Sequence, residues 1–186
     1  MRTKNLIIMV GAPGSGKSTY IRNHMKLLAG TTTYVSRDEI RFSLLKDNEP
    51  YFSKEKETWK IFLEKIKMAL HSYDNVFVDA THLSVASRTK LINGLKNKEV
   101  DFSNIFVYAF VMDVCLAKCL SQNENRAGRA YVPQDAIKNM FAEFQNPTFE
   151  EKYLDSIIFY KPGEILGNKE ENYEILYRRE EDEYGA

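Results

Sequence analysis

The sequence Leu6-Ile7-Ile8-Met9-Val10-Gly11-Ala12-Pro13-Gly14-Ser15-Gly16-Lys17-Ser18-Thr19 decides the fold of this protein. Its first five residues are apolar and predict a buried strand. Residues 11–19 contain the pattern G-x-x-x-x-G-K-[ST], in which a glycine-rich loop joins a strand to a helix. A helical pattern over residues 17–28 follows, so the flanking elements are those that the motif requires.

This loop predicts a binding site for the phosphates of a nucleoside triphosphate. Its glycines let backbone N–H groups curl around phosphate oxygens without a Cβ clash, and the helix N-terminus adds a positive end. We expect the Lys17 ammonium at the β- and γ-phosphates and the Ser18 hydroxyl at Mg²⁺. The alternative, a glycine-rich turn that only caps a helix, is disfavoured by the strand before the loop and the helix after it. The expected nucleotide is ATP, contacted along residues 11–19.

Short apolar runs alternate with helical patterns along the rest of the chain. The further runs are residues 32–35, 76–78, 105–112, 156–160 and 173–177, and the clearest helical patterns are 53–72, 85–95 and 133–144. Near-continuous apolar strands separated by helices predict an α/β doubly wound domain. We therefore expect a three-layer fold with a mostly parallel sheet and helices on both faces.

The composition is that of a folded domain without a strong net charge. The chain has 186 residues, 26 Lys+Arg against 26 Asp+Glu, and 28% charged and 44% hydrophobic residues. These values exclude a mainly disordered chain and a histone-like nucleic-acid coat. No apolar run approaches the roughly 20 residues that span a bilayer, so we expect no membrane partner, no signal peptide and a cytoplasmic location. We assign residues 1–167 to one domain and 168–186 to a charged tail with a last short strand.

The segment Ser36-Arg37-Asp38-Glu39-Ile40-Arg41 follows the second predicted strand. Ser36 and Glu39 fit a capping box that opens a short helix. The helix would begin where open α/β sheets bind ligands, and Asp38 and Arg41 would share one of its faces. Phosphoryl transfer needs a carboxylate to take a hydroxyl proton and a cation to stabilise the phosphoryl group. The spacing alone leaves a functional and a capping role equally open.

The segment Val76-Phe77-Val78-Asp79-Ala80-Thr81-His82-Leu83 ends a strand with an aspartate. Three apolar residues followed by Asp resemble a Walker B element, which predicts Asp79 near Mg²⁺. The structural alternative is an aspartate that starts a turn. Thr81 is a candidate to orient an acceptor or to cap the next helix. His82 is expected near the surface as a turn residue.

Residues 121–132 are polar, contain a glycine and carry two arginines, Arg126 and Arg129. Such a segment suits a mobile flap that closes over a nucleotide, excludes water and brings arginines to the triphosphate. Water exclusion matters because ATP hydrolysis competes with transfer. An ordinary solvated loop is the alternative.

Taken in order, these elements resemble the kinase domain of phage- and bacterial-type polynucleotide 5′-kinases. The resemblance covers residues 5–145 and includes Val132-Pro133 after the two arginines. It implies the adenylate-kinase-like branch of the P-loop fold with an arginine flap. It also implies transfer of the γ-phosphate of ATP to a 5′-hydroxyl end of RNA or DNA. The flap of that family often begins Arg-Asn, whereas this one begins Gln122-Asn123.

The resemblance also implies a role for each matching residue. On the nucleotide side, Lys17 and Ser18 bind the triphosphate and Mg²⁺. Arg126 and Arg129 would contact the ATP phosphates, with Lys17 and Arg126 as catalytic groups.

On the acceptor side, the resemblance implies that Asp38 is the general base on the 5′-hydroxyl and that Arg41 contacts the acceptor phosphate. It leaves two roles open for Asp79. One is acceptor contact near Thr81, and the other is an Mg²⁺ contact, directly or through water.

Two other functions stay open at this point. One is a P-loop kinase of a small metabolite or nucleoside, and the other is an ATP-driven switch or motor. Arginines within the chain itself and the lack of room for a lid domain weigh against the motor. The resemblance implies a nucleic-acid 5′-end as substrate and a separate ligase or phosphatase partner, since the chain is too short to carry either domain. A phage-encoded protein of this kind would act in the host cytoplasm.

Overall fold

The computed structural model describes residues 4–162 and 172–177. These residues form six strands: β1 (Lys4–Val10), β2 (Thr32–Ser36), β3 (Asn75–Asp79), β4 (Ile105–Met112), β5 (Ser156–Lys161) and β6 (Asn172–Tyr177). They make one sheet in the order β2-β3-β1-β4-β5-β6. Strands β1 to β5 pair in parallel, whereas β6 pairs with β5 in the antiparallel direction. Apart from β6, the tail predicted at 168–186 lies outside the described residues.

Six α-helices of the described residues connect and cover these strands. They are α1 (Lys17–His24), α2 (Arg37–Leu44), α3 (Glu55–Ser72), α4 (Val85–Lys96), α5 (Leu116–Glu124) and α6 (Gln134–Ala142). The helix predicted over 17–28 is α-helical only to His24 and ends in a 3-10 turn. The helix predicted from Pro133 begins one residue later, with Pro133 as its N-cap. Within residues 4–162 and 172–177, no helix has both the length and the apolar character needed to cross a bilayer.

The central strand β1 explains why the fold has three layers. Its residues alternate between two apolar clusters, with Leu6, Ile8 and Val10 in one and Ile7 and Met9 in the other. The first cluster also holds apolar residues of α3 and α4, and the second those of α1, α5 and α6. Because both faces of β1 are covered by helices, its sequence is apolar at every position from Leu6 to Val10. The predicted three-layer α/β fold with a mostly parallel sheet is confirmed.

The parallel strands bring their carboxyl ends to one edge of the sheet. The loop after β1, the start of α2 after β2, and the segment after β3 all lie at this edge. Open α/β sheets bind ligands at this edge. Backbone pairing extends beyond the strands, since the Gly11 N–H donates to the Thr81 carbonyl oxygen over 3.0 Å.

A buried ion pair fastens α4 to the segment that returns from α6 to β5. Arg88 is fully buried and Glu151 is 5% exposed. The Arg88 Nε–H donates to Glu151 Oε2 over 2.9 Å, and its Nη2 lies 2.6 Å from Oε1. The remaining Nη1 donates to the carbonyl oxygens of His82 at 3.0 Å and Gln145 at 3.1 Å. One guanidinium therefore joins α4, the segment after β3 and the return segment.

We predict that Arg88→Met destabilises the fold strongly. It removes the guanidinium that donates to the buried Glu151 carboxylate, and removing one partner of a buried ion pair costs about 3–5 kcal/mol of unfolding free energy. Urea titration at neutral pH measures the loss. The matched control is Lys138→Met, which breaks the pair that Lys138 forms with Asp135 at 3.1 Å on the surface of α6. Exposed pairs contribute about 0–1 kcal/mol, so equal losses in the two variants would contradict the prediction.

Candidate active site

The loop between β1 and α1 is shaped by glycines and rests on α5. Gly14 has a φ of +81°, and a Cβ at this position would lie 2.2 Å from the Cys119 carbonyl oxygen. Gly16 has a φ of +93° and is the N-cap of α1. Because both residues have left-handed φ values and one touches a neighbouring backbone, only glycine fits here without strain. The loop thus presents its backbone at the N-terminus of α1, where anions bind.

Lys17 lies inside this loop, with only 8% of its surface exposed. Its Nζ donates to the carbonyl oxygens of Gly11 at 2.8 Å and Ala12 at 2.9 Å. Burial lowers the pKa of Lys17 below its usual value; the charge of Asp79 opposes this shift, and that of Arg126 adds to it. A cation in an enclosed polar loop interacts more strongly with an incoming anion than an exposed one does.

Ser18 and Asp79 meet where α1 begins and β3 ends. The Ser18 hydroxyl donates to Asp79 Oδ2 over 2.6 Å, and Asp79 is 7% exposed. Burial raises the pKa of Asp79, while Lys17 and the Ser18 hydrogen bond counteract the shift. The two oxygens predicted to hold Mg²⁺ are therefore adjacent. This geometry favours the metal role for Asp79 over acceptor contact.

Asp38 stands in the first turn of α2, at the same edge of the sheet. As expected, Ser36 is the N-cap, and its Oγ accepts from the Glu39 N–H over 3.3 Å. The Asp38 carboxylate accepts hydrogen bonds from Arg41 and from the Tyr51 hydroxyl, the latter at 2.8 Å. Both bonds end on Oδ1, and the side chain is 61% exposed. One oxygen is thus held in place while Oδ2 remains available to a ligand.

Arg41 is buried and surrounded by protein partners. Its Nη1 bonds to Asp38 and to the Tyr51 hydroxyl, and its Nη2 donates to Glu55 Oε2 over 2.8 Å. Burial raises the pKa of Tyr51 to about 12, and the charge of Asp38 adds to this effect. Direct contact between Arg41 and an acceptor phosphate, as the sequence predicts, would require these bonds to exchange. In this geometry Arg41 holds Asp38.

Glu55, the first residue of α3, joins two arginines of α2. It accepts from Arg41 through Oε2 and from Arg37 through Oε1. Partial burial alone would raise the pKa of Glu55, but the hydrogen bond from Arg41 and the charge of Arg37 hold it below its usual value. The Arg37 guanidinium also lies 5.2 Å from the centre of the Trp59 ring. Arg37, Tyr51 and Glu55 were missed by the sequence reasoning.

The two arginines of the predicted flap have different environments. The first residues of the predicted segment belong to α5, which ends at Glu124, so the loop itself begins later. Arg126 is exposed, and its charge acts on Lys17. Arg129 instead donates to the carbonyl oxygens of Leu45, at 3.2 Å, and Lys46. The structure brings Arg126 within electrostatic reach of the phosphate-binding loop, while Arg129 is bound to the segment after α2.

The segment after β3 differs from its prediction. Helix α4 is capped by Ser84, whose Oγ accepts from the Ser87 N–H over 3.2 Å, so Thr81 is not the cap. His82 is not at the surface, because it is 3% exposed. Its backbone is left-handed, with a φ of +46°. The imidazole of His82 is therefore directed inward, which the local polar sequence does not indicate.

Fold and loop together define a P-loop kinase fold, and the sequence gives the family. The chain belongs to the family described as the AAA domain, which matches residues 6–147. These residues include the phosphate-binding loop, Asp38, Asp79 and the two arginines of the predicted flap.

Three curated relatives are similar to this chain. An L-seryl-tRNA(Sec) kinase of Methanococcus maripaludis is 28% identical over 147 residues, which cover 76% of this chain and 53% of that protein. A protein of Acanthamoeba polyphaga mimivirus, named as a bifunctional polynucleotide phosphatase/kinase, is 27% identical over 172 residues, which cover 89% of this chain and 36% of that protein. A protein of Autographa californica nuclear polyhedrosis virus, named as a bifunctional polynucleotide kinase/RNA ligase, is 26% identical over 165 residues, which cover 82% of this chain and 22% of that protein. The chain thus spans about half or less of these relatives' own lengths.

Solved structures give the same fold. A chain of the Pnkp1/Rnl/Hen1 RNA repair complex matches with a TM-score of 0.64 and 23% identity, covering 77% of this chain and 44% of that one. A fungal RNA kinase matches with a TM-score of 0.65 and 14% identity, and the match covers 90% of this chain and 78% of that one. The predicted resemblance to P-loop kinases is confirmed.

We predict that the buried His82 makes the fold sensitive to mild acid. Burial, with the charges of Arg37, Arg88 and Lys17, lowers its pKa from 6.5 to about 3. Below pH 6.5 the unfolded chain therefore binds a proton that the folded chain does not, and stability falls with pH down to about 3. Between pH 7 and pH 5, the proton uptake of His82 in the unfolded chain should lower the free energy of unfolding by about 2 kcal/mol.

The comparison variant is His82→Asn, because asparagine tolerates a left-handed φ and does not titrate. Urea unfolding of both proteins at pH 7 and pH 5 isolates the histidine from the carboxylates that the proteins share. A difference between the two proteins that stays constant with pH would contradict the prediction.

Proposed function

We propose that this protein is a polynucleotide 5′-kinase, which moves the γ-phosphate of ATP to a 5′-hydroxyl end of RNA or DNA. The observation that carries the proposal is the Asp38 carboxylate at the ligand-binding edge of the sheet. Its Oδ1 is held by Arg41 and Tyr51, and its Oδ2 is available to accept a proton. The charge of Asp38 contributes to the pKa values of both Lys17 and Asp79. Asp38 therefore lies within electrostatic reach of the phosphate-binding loop.

The names of the relatives support the choice of acceptor. Two of the three are named as polynucleotide kinases joined to a phosphatase or an RNA ligase. We infer that this chain likewise acts on nucleic-acid ends, with end-processing or ligating proteins as its partners. Zero net charge disfavours binding along many phosphates, which requires many cations, and is compatible with contact at a single strand end.

The residues present fit ATP and Mg²⁺. Ser18 Oγ and Asp79 Oδ2 are hard oxygen donors 2.6 Å apart beside the phosphate-binding loop. Mg²⁺ in such sites is held by one or two protein oxygens together with substrate phosphates and water. Mg²⁺ held by Ser18 and Asp79 would supply positive charge that neutralises the charge developing on the phosphates.

The proposed mechanism assigns each step to a residue of this chain. The acceptor hydroxyl oxygen forms a bond to the γ-phosphorus while the bond from that phosphorus to the β,γ-bridging oxygen breaks and ADP leaves. The hydroxyl proton passes to Oδ2 of Asp38. Lys17 and Arg126 stabilise the negative charge of the transferring group. Arg41 keeps the carboxylate oriented, and Arg129 holds the flap to the segment after α2.

A second candidate is phosphorylation of an alcohol carried by RNA other than a 5′-end. The observation in its favour is the L-seryl-tRNA(Sec) kinase relative, which is 28% identical to this chain over 147 residues. The two candidates differ only in the acceptor. Offering a 5′-hydroxyl oligonucleotide and an aminoacylated RNA side by side, with labelled ATP, separates them.

We predict that Asp38→Asn abolishes transfer while ATP binding persists. The amide cannot take the hydroxyl proton, and loss of a general base lowers rates by about 10²–10⁴-fold. Label transfer from ATP to 5′-hydroxyl DNA and RNA measures the rate, and calorimetry measures ATP affinity. Asp135→Asn, on the surface of α6, is the matched control and should behave as the unmodified protein.

Each outcome of this experiment has one meaning. Absence of transfer to every 5′-hydroxyl oligonucleotide with the unmodified protein overturns the proposed function. Loss of ATP binding in Asp38→Asn would give this residue a structural role, and undiminished transfer would exclude it as the base.

A further inference from the structure

Phe52 is an exposed aromatic side chain beside the candidate acceptor carboxylate. Its exposed fraction is 66%, and neither apolar cluster of the described residues includes it. The residue lies between α2 and α3, directly after Tyr51. A large apolar side chain that stays exposed contributes little to the stability of the fold through burial. When such a side chain lies next to a candidate site, its exposure indicates a role in binding a ligand.

The Phe52 ring is held in a defined position. The Ser53 N–H donates to the Pro50 carbonyl oxygen over 3.0 Å, which closes a turn around Phe52. The Glu55 N–H donates to the Phe52 carbonyl oxygen over 3.2 Å, which anchors the turn to the start of α3. The ring contacts that of Tyr51 edge-on, with the centroids 4.8 Å apart. A ring positioned in this way loses little conformational freedom when a ligand stacks on it.

A cation supports the two aromatic rings from the protein side. The Arg41 guanidinium carbon lies 4.5 Å from the Tyr51 ring centre and 5.6 Å from that of Phe52. Arg41 itself is 4% exposed, so it lies beneath the surface that Phe52 presents to solvent. Cation–π contacts of this kind fix the rings relative to the guanidinium. The same guanidinium bonds to Asp38.

Tyr51 connects Phe52 to the site of chemistry. Its hydroxyl donates to Asp38 Oδ1 over 2.8 Å, and its ring touches Phe52. An acceptor whose 5′-hydroxyl meets Asp38 carries its base one ribose ring away. Phe52 is separated from Asp38 by the side chain of Tyr51 alone, which contacts both residues.

We propose that Phe52 is the stacking platform for the first nucleobase of the acceptor. The proposal rests on the proposed function and adds what the acceptor must carry, namely a planar base attached to the sugar that bears the hydroxyl. Every base has a π-face, so stacking on Phe52 favours nucleoside acceptors over small alcohols without selecting one base. An acceptor with a sugar and a phosphate but no base would bind without the free energy of stacking on Phe52.

The experiment pairs a change in Phe52 with a change in the acceptor. The variants are Phe52→Ala, Phe52→Leu and Phe52→Trp, and the acceptors are 5′-hydroxyl oligonucleotides with a normal or an abasic first nucleotide. The matched control is Met68→Ala, a residue of α3 with an exposed fraction of 67%. The readouts are KM for the acceptor, kcat and KM for ATP.

With the normal acceptor, Phe52→Ala and Phe52→Leu should raise the acceptor KM by roughly 5- to 30-fold, the weaker part of the range for base–aromatic stacking. Phe52→Trp should retain the original value, because it keeps a ring, and KM for ATP should not change. With the abasic acceptor, the three Phe52 variants, Met68→Ala and the unmodified protein should have the same acceptor KM, because the stacking partner is absent.

Two results would overturn the proposal. One is transfer to 5′-hydroxyl ends that is equally efficient in Phe52→Ala and the unmodified protein. The other is a Phe52→Ala effect that persists with the abasic acceptor, which would assign Phe52 to the sugar. Failure of the proposed function is distinguishable from both, because the unmodified protein would then transfer phosphate to none of these oligonucleotides.

Discussion

Parallel pairing of β1 with β3 and β4 is the constraint on which the rest of the structure depends. Because these strands run in one direction, the segments that follow them meet at one edge of the sheet. The contact between Ser18 and Asp79, 61 residues apart in sequence, follows from this arrangement. The bond from the Gly11 N–H to the Thr81 carbonyl oxygen ties the two segments at the same place. A change in the order of the central strands would separate the oxygens suited to Mg²⁺.

The acceptor side is built by a different principle. Here the Asp38 carboxylate of α2 is held by Arg41 of the same helix and by the Tyr51 hydroxyl. Arg41 is in turn bonded to Glu55 and Tyr51, which lie outside that helix. Arg41 is oriented by its partners on α3 and on the segment before it, so that segment controls how Asp38 is presented. The same segment carries the exposed Phe52 and receives the Arg129 hydrogen bonds. The orientation of Asp38, the exposure of Phe52 and the hydrogen bonds of Arg129 thus depend on one short stretch of chain.

Much of this could be predicted from the sequence, for identifiable reasons. The strands were found because both faces of the sheet are covered, so their residues are apolar without interruption. The phosphate-binding loop was found because its glycines meet a local steric requirement, shown at Gly14 by the nearby Cys119 carbonyl oxygen. Ser36 was identified as a cap because capping bonds are local. The surface position predicted for His82 is wrong, because its left-handed φ and the hydrogen bond from Arg88 to its carbonyl oxygen are set by the fold and are not indicated by a polar run of sequence.

Periodicity and local motifs predict the class of fold, the nucleotide-binding loop and the candidate carboxylates Asp38 and Asp79. These features depend on the order of residues along the chain and on contacts within a few residues. Packing in three dimensions instead sets the contact of Asp79 with Ser18, the enclosure of Arg41 by Glu55 and Tyr51, and the binding of Arg129 to the segment after α2. Those contacts join residues far apart in sequence, and their partners are set by how helices pack on the sheet. The physical reason is that a side chain's charge and hydrogen-bonding capacity are local properties, whereas its burial and its partners belong to the whole fold.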